Sequence, residues 1–226
     1  DVTGVQTCAL PISDISDLMP LKDMQNLVRI YCDNTSIDSE KADNFKRENS
    51  NVMVIYETKA LQDWWDSLHI SWKRAFSAQN NTDINPSPEE LHAIISMKSL
   101  TLEAFFMDAM PIERLTNLER LNVENTKIND LAPLHGLHNL KYLNLKNTKV
   151  NNLSPIENLS NLQEINIENT GIWNLEPLSK MNNLVLVRAE NSKVKSDQVF
   201  KLKVAQPNVT VIYHTEELRA WWNTLD

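Results

Sequence analysis

Five histidines, two cysteines and six tryptophans are the side chains of this 226-residue chain most able to carry chemistry. His69, His92, His135, His138 and His214 are scattered, and only His135 and His138 are close together. That pair sits beside Gly136 with no cysteine or carboxylate in register, so it reads as two solvent-facing turn residues, and no metal is expected. None of the short serine- or cysteine-nucleophile signatures occurs, and catalysis is not expected. With only Gly4, Gly136 and Gly171 available, no glycine-rich loop can cradle a nucleotide phosphate, and no cofactor is expected. Thirty acids against 22 bases, a net charge of -8 and the lack of any Lys/Arg block exclude a nucleic-acid backbone or anionic lipid surface as partner. The apolar runs are a handful of residues long, far short of the ~20 that a membrane helix needs, so no transmembrane segment is expected.

The elements that would position any site follow from a period of 22 residues. Leu118, Leu140, Leu162 and Leu184 are each one step apart. The same step links Leu121, Leu143, Ile165 and Val187, then Val123, Leu145, Ile167 and Ala189, then Ile128, Val150, Ile172 and Val194. Leu131, Leu153 and Leu175 continue the ladder, and Pro133, Pro155 and Pro177 recur with it. An earlier unit from Ser99 to Leu118 fits with one residue deleted, Leu100 and Leu102 taking the strand positions and Phe106 the next. Each unit resembles a leucine-rich repeat of the short, bacterial internalin-like type. One departure is that the family's asparagine position holds Thr126, Thr148, Thr170 and Ser192, each directly preceded by an asparagine. A hydroxyl there can still take up turn backbone hydrogen bonds. The resemblance implies an α/β solenoid in which short strands stack into a curved parallel sheet between helical caps. It also implies a noncatalytic recognition protein, secreted or attached to a bacterial cell surface.

Strand phase then names the candidate binding residues. The outward columns of the concave face read Arg120, Tyr142, Glu164, Leu186, then Asn122, Asn144, Asn166, Arg188, then Glu124, Lys146, Glu168, Glu190. The alternating charges of the third column can satisfy one another across strands and read as a solvated face, a reading that fits Tyr142, Leu186 and Arg188 less well. Tyrosine and arginine are enriched at binding hot spots. A protein ligand on the first two columns is the leading expectation. A glycan on the asparagine ladder with Tyr142, or a passive spacer attached to another domain, are the alternatives. Cys32 falls on an inward strand position equivalent to Ala189 and reads as a small buried hydrophobe.

A longer duplication runs at an offset of 157, matching Ile15–Leu68 with Ile172–Leu225 without a gap. It pairs Val54-Ile55-Tyr56 with Val211-Ile212-Tyr213, and Leu61, Trp64, Trp65 and Leu68 with Leu218, Trp221, Trp222 and Leu225. Each copy is expected to be a terminal unit: a convex helix near Asp197–Ala205, a last strand near Val209–Tyr213 in the 22-residue register, and a closing helix capped by Thr215. The tryptophan pairs read as its packing core. Ser87-Pro88-Glu89-Glu90 is a capping box opening another helix. Four segments result: 1–12; a truncated first module, 13–68; a connecting helix and Asn/Pro loop, 69–87; and a second module, 88–226, whose C-terminus also reads as truncated. Residues 2–12, VTGVQTCALPI, are similar to the in-frame translation of a sequencing-library adapter, so 1–12 is expected to be non-native and Cys32 the one native thiol.

Overall fold

The computed structural model describes residues 6–9, 15–103, 105–215, 222 and 224. The chain divides into two units, Asp1–Ile94 and Ile95–Asp226.

The first unit holds β1 (Gln6–Ala9), β2 (Leu27–Tyr31), α1 (Ser39–Glu48), β3 (Met53–Ile55), α2 (Thr58–Ser67), α3 (Ile70–Asn80) and α4 (Pro88–Ile95). The strands form a parallel sheet in the order β1-β2-β3. Its core gathers Leu27, Ile30, Cys32, Phe45 and Val54. β1 falls within the adapter-like segment. Its ladder bonds are made by main-chain groups that every residue carries, so an open sheet edge takes up any extended segment, whatever its origin.

The helices are fixed by specific caps. Asp38 accepts the Lys41 N–H at 3.0 Å to start α1. Ser87 and Glu90 bond each other's backbone N–H at 3.2 and 2.7 Å, the expected capping box of α4. α4, expected to open the second module, makes its side-chain bonds in the first unit. Tyr31 donates to Glu89, and the His92 Nε2 lies 2.8 Å from the Tyr56 carbonyl. Trp65 is buried between α2 and α3 against Trp64 and Phe76, with its indole N–H donated to the Ile84 carbonyl at 3.1 Å. Of the first tryptophan pair Trp65 is therefore core, as expected, while Trp64 is half-buried against Phe76.

The second unit is the repeat array. Six parallel strands, β4 (Ser99–Thr101), β5 (Arg120–Asn122), β6 (Tyr142–Asn144), β7 (Glu164–Asn166), β8 (Leu186–Arg188) and β9 (Thr210–Ile212), stack in chain order, with α5 (Ser196–Ala205) between the last two. Leu100, Leu121, Leu143, Ile165 and Val187 sit side by side at the strand centres, each fully buried. This is the α/β leucine-rich-repeat solenoid expected from the ladder. Each of the four connections from β4 to β8 passes through a 3-10 turn with proline in its first turn: Met110–Arg114, Ala132–Leu134, Ser154–Ile156 and Glu176–Lys180. An Asp or Asn side chain two residues ahead caps each turn: Asp108, Asp130, Asn152 and Asn174 accept the N–H of Met110, Ala132, Ser154 and Glu176.

The last step differs from the expected register. Val187 faces Val211, not Val209, because α5 is longer than the 3-10 turns it replaces and lengthens the unit from 22 to 24 residues. The first unit repeats the same step, Ile30 facing Val54. The duplication at 157 residues holds in backbone detail. α1 superposes in sequence on α5, and the Cys32 N–H reaches the Ile55 carbonyl at 2.8 Å as the Ala189 N–H reaches that of Ile212 at 2.8 Å. Asp33 accepts the Thr58 N–H at 2.8 Å as Glu190 accepts the Thr215 N–H at 2.9 Å. Thr215 is thus already inside its helix, and the Glu190 carboxylate, two residues past the end of β8, satisfies the helix start that Thr215 was expected to cap itself. The rest of that closing helix, including Trp221, lies outside the described residues except Trp222 and Thr224.

Candidate functional site

The turns that follow β5, β6, β7 and β8 are built from the same pair, an asparagine and then a threonine or serine. Asn125, Asn147, Asn169 and Asn191 have φ of 61°, 56°, 52° and 52°, the left-handed region that asparagine tolerates better than other non-glycine residues. The hydroxyls of Thr126, Thr148, Thr170 and Ser192 then donate to the carbonyl three residues back at 2.6–2.7 Å. The hydroxyl substitution is accordingly a working turn closure. The preceding asparagine supplies the strained backbone, a role that the sequence pattern alone left unassigned.

These turns aim three residues per strand, and the candidate columns separate by burial. Asn144 and Asn166 are buried, and the side-chain carbonyls of Asn122, Asn144 and Asn166 accept the backbone N–H two residues on, at 3.0, 3.1 and 2.9 Å. Asn144 also donates to Glu124 at 3.1 Å. The asparagine ladder thus spends its side-chain carbonyls on holding the strand ends. In the third column Lys146 meets Glu168 at 3.1 Å, and that carboxylate raises the lysine above its ordinary pKa. Glu190 is taken by the Thr215 N–H.

Arg120, Tyr142, Glu164, Leu186 and Arg188 remain solvent-accessible. The Arg120 guanidinium lies 4.3 Å above the centre of the Tyr142 ring, and Arg188 donates to Glu164 at 3.2 Å. Four of the five, all but Arg188, line a shallow depression of about 390 Å³ that runs across β5 to β8. The row just before the strands forms its other wall: Glu119, Lys141, Gln163 and Val185. Glu119 is clamped between Lys98 at 3.3 Å and Lys141 at 2.7 Å, and their hydrogen bonds hold its carboxyl below the usual range. Val185 is 60% exposed, an apolar residue where the other repeats carry charge or amide. Counting strand positions alone missed it; the signal was its departure from the repeat.

The other chemistry-bearing residues fall elsewhere. His135 and His138 stand 6.5 Å apart, and among the described residues no group of histidines, cysteines and carboxylates could hold a metal ion. Cys32 is buried, its thiol donating to the Ile55 carbonyl at 3.3 Å, and burial pushes its pKa up to about 11. A thiol so placed is protonated and unreactive near neutrality. Among the described residues no helix is long and apolar enough to cross a membrane.

A parallel array of short strands with one exposed face defines the class of architecture, and comparison with known proteins agrees. Residues 116–160 match the family model described as Leucine Rich repeats (2 copies). Leucine-rich-repeat proteins generally bind other proteins and are generally not enzymes. Among solved structures the chain is similar to internalin C2 from Listeria monocytogenes, at 21% identity and a TM-score of 0.50 over 93% of this chain and 77% of that one. It also matches an internalin (inlF) from Listeria monocytogenes at 24% identity and TM-score 0.47, covering 59% of this chain and 46% of that one. A leucine-rich-repeat protein from Leptospira interrogans matches at 22% identity and TM-score 0.48, covering 56% of this chain and 33% of that one. No curated protein matches the sequence significantly.

Proposed function

We propose that the second unit is a noncatalytic recognition module that binds a protein ligand through its strand face, with Arg120, Tyr142, Glu164, Leu186 and Arg188 as contacts. The observation that carries this reading is the depression across β5 to β8, which joins an aromatic ring, the exposed Val185, the half-buried Leu186 and the paired charges of Glu119 and Lys141 on one sheet. Arg120 and Arg188 already rest on Tyr142 and Glu164, so less side-chain freedom is lost when a partner docks. Tyrosine and arginine are the residue types most enriched where interfaces gain their energy. Six strands at ~4.8 Å spacing span only ~24 Å, which suits a small or transient contact unless the surface continues into a longer protein. Location at a bacterial surface or outside the cell belongs to this reading and rests on the repeat type.

The test places a photo-crosslinking residue at Tyr142 and, separately, at Glu157, which is exposed on the turn side of the array. Cross-linking of one protein at position 142, absent at 157 and competed by unlabelled protein, supports the reading. It further requires that Tyr142→Ala or Arg188→Glu weakens the purified complex while leaving the melting temperature unchanged. Equal cross-linking at both positions, or variants that lose binding and stability together, overturns it.

A further inference from the structure

The repeats serve as one another's controls, and one of them breaks the pattern at two neighbouring solvent positions. The position after the turn hydroxyl is Lys127, Lys149, Gly171 and Lys193 in successive units, and two residues further on it is Asn129, Asn151, Trp173 and Lys195. A single unit has therefore lost a long cationic side chain and gained an indole beside the gap. A Cβ at position 171 would meet the Asn151 Cβ at 3.1 Å, so the glycine lets the two turns approach closely. Trp173 is 58% exposed and stands between two open depressions of about 410 and 510 Å³, within the ~300–1,000 Å³ range of ligand clefts. They lie on the side of the array made by turns and 3-10 segments, away from the strand face.

We infer that Trp173, with Asn151, Asn152 and Asn174, forms a binding site for a neutral oligosaccharide. The surroundings favour a sugar over a protein. A protein hot spot needs an apolar, water-excluding neighbourhood, and the exposed Phe200 and Val204 of α5 line neither depression. Most of the side chains around the indole are polar: the amides and hydroxyls of Asn151, Asn152, Ser154, Asn174, Ser179 and Gln198, with charges of both signs on Glu176, Lys193 and Lys201, against the apolar Leu153, Leu175, Pro177 and Leu202. A pyranose offers the matching pair of surfaces, an apolar C–H face to lie on the ring and a rim of hydroxyls for the amides. The amides are preset for that role. The carbonyl ends of Asn152 and Asn174 are held by the N–H groups of Ser154 and Glu176 at 3.0 and 2.9 Å, which fixes the plane of each side chain and leaves the NH2 ends as donors. With one depression on each side of the ring, a chain of two or three sugars can pass over Trp173.

The test titrates cellotriose, chitotriose, maltotriose and, as a rival, hexaproline into the protein, read by saturation-transfer NMR and calorimetry. Trp173→Asn restores the residue of two other repeats, so it should melt with the wild type. The expected result is binding of at least one trisaccharide, with saturation strongest on the C–H face of a single ring. Affinity should fall about ten-fold or more in Trp173→Asn, fall less in Trp173→Phe, and be unchanged in Tyr142→Ala. No binding of any of the three sugars, hexaproline binding in their place, or sugar binding that survives Trp173→Asn overturns the assignment. Because the strand-face reading is tested at Tyr142 and Arg188, either can fail while the other stands.

Discussion

The claim that asparagine is present for its backbone makes an inverted prediction at Asn147. In ordinary backbone, alanine is more stabilising than glycine, since glycine has more freedom to lose on folding. At φ 56° the order should reverse. A Cβ in the left-handed region costs roughly 1–2 kcal/mol for a residue with no compensating local hydrogen bond. Glycine escapes that cost and gives up mainly the exposed bond from Asn147 to Asn125 at 2.7 Å, together with roughly 0.5–1 kcal/mol of chain entropy. Asn147→Ala should therefore be the less stable variant, by about 1 kcal/mol relative to Asn147→Gly. For a unit of this size a urea slope of ~1–3 kcal/mol/M turns that difference into a midpoint shift of about 0.5 M. Urea unfolding followed by far-UV circular dichroism resolves it, with Asn158, which has no positive φ, as the control position where alanine should equal or exceed glycine. If alanine equals or exceeds glycine at 147 as well, the turn does not depend on the left-handed conformation and the reasoning fails.

Leu143 is fully buried between equivalent side chains of the adjacent strands, and Leu143→Ala should cost roughly 2–5 kcal/mol in the same assay because stacked strands cannot close the hole. Burial holds the His92 imidazole below its ordinary pKa, so the folded first unit prefers it neutral while the unfolded chain takes a proton below about pH 6.5. Its effect on stability is level above that pH and declines as pH falls toward the lowered folded value, at no more than about 1.4 kcal/mol per unit. The stability advantage of wild type over His92→Gln should shrink between pH 7.5 and 5; a gap that stays constant would refute the assignment. In a Cys8→Ser background, Cys32 should be silent to Ellman's reagent at pH 8 and yield one thiol only in denaturant, as a buried thiol with a pKa of about 11 requires. Prompt labelling of the native protein would mean that the strand opens.

The ladder leucines were legible because a buried position tolerates few residue types, so Leu121, Leu143, Ile165 and Val187 advertise their common place at every step. The 24-residue last step was not. Both Val209 and Val211 are β-branched, and alternation cannot say which of two same-face residues meets Val187 when the connecting helix sets the length. The outward columns were legible as directions but not as chemistry. Asn144 and Asn166 point away from the core yet are buried and bonded to the backbone two residues on, a local geometry that strand phase does not encode. The Thr215 helix start followed the same rule: the atom that satisfies it belongs to Glu190, 25 residues earlier in the chain.

What distinguishes function from scaffold in a repeat array is then departure from the internal consensus at solvent positions. Substitutions along the buried ladder exchange one aliphatic for another and keep the strand in place. The Asn-Thr turn pair scarcely changes, because backbone conformation and hydrogen bonding leave it no freedom. Exposed positions carry no such constraint, and most hold lysine, glutamate or asparagine. An apolar or aromatic residue there costs solubility and adds nothing to the stacking of the strands. Tyr142 with Val185 and Leu186 on the strand face, and Trp173 beside Gly171 on the turn side, break the pattern in this way, and each group borders a depression. Two surfaces on different sides of one rigid array would let a partner on one side leave the other free, and variants at Tyr142 and Trp173 should therefore act additively in any binding measured through both.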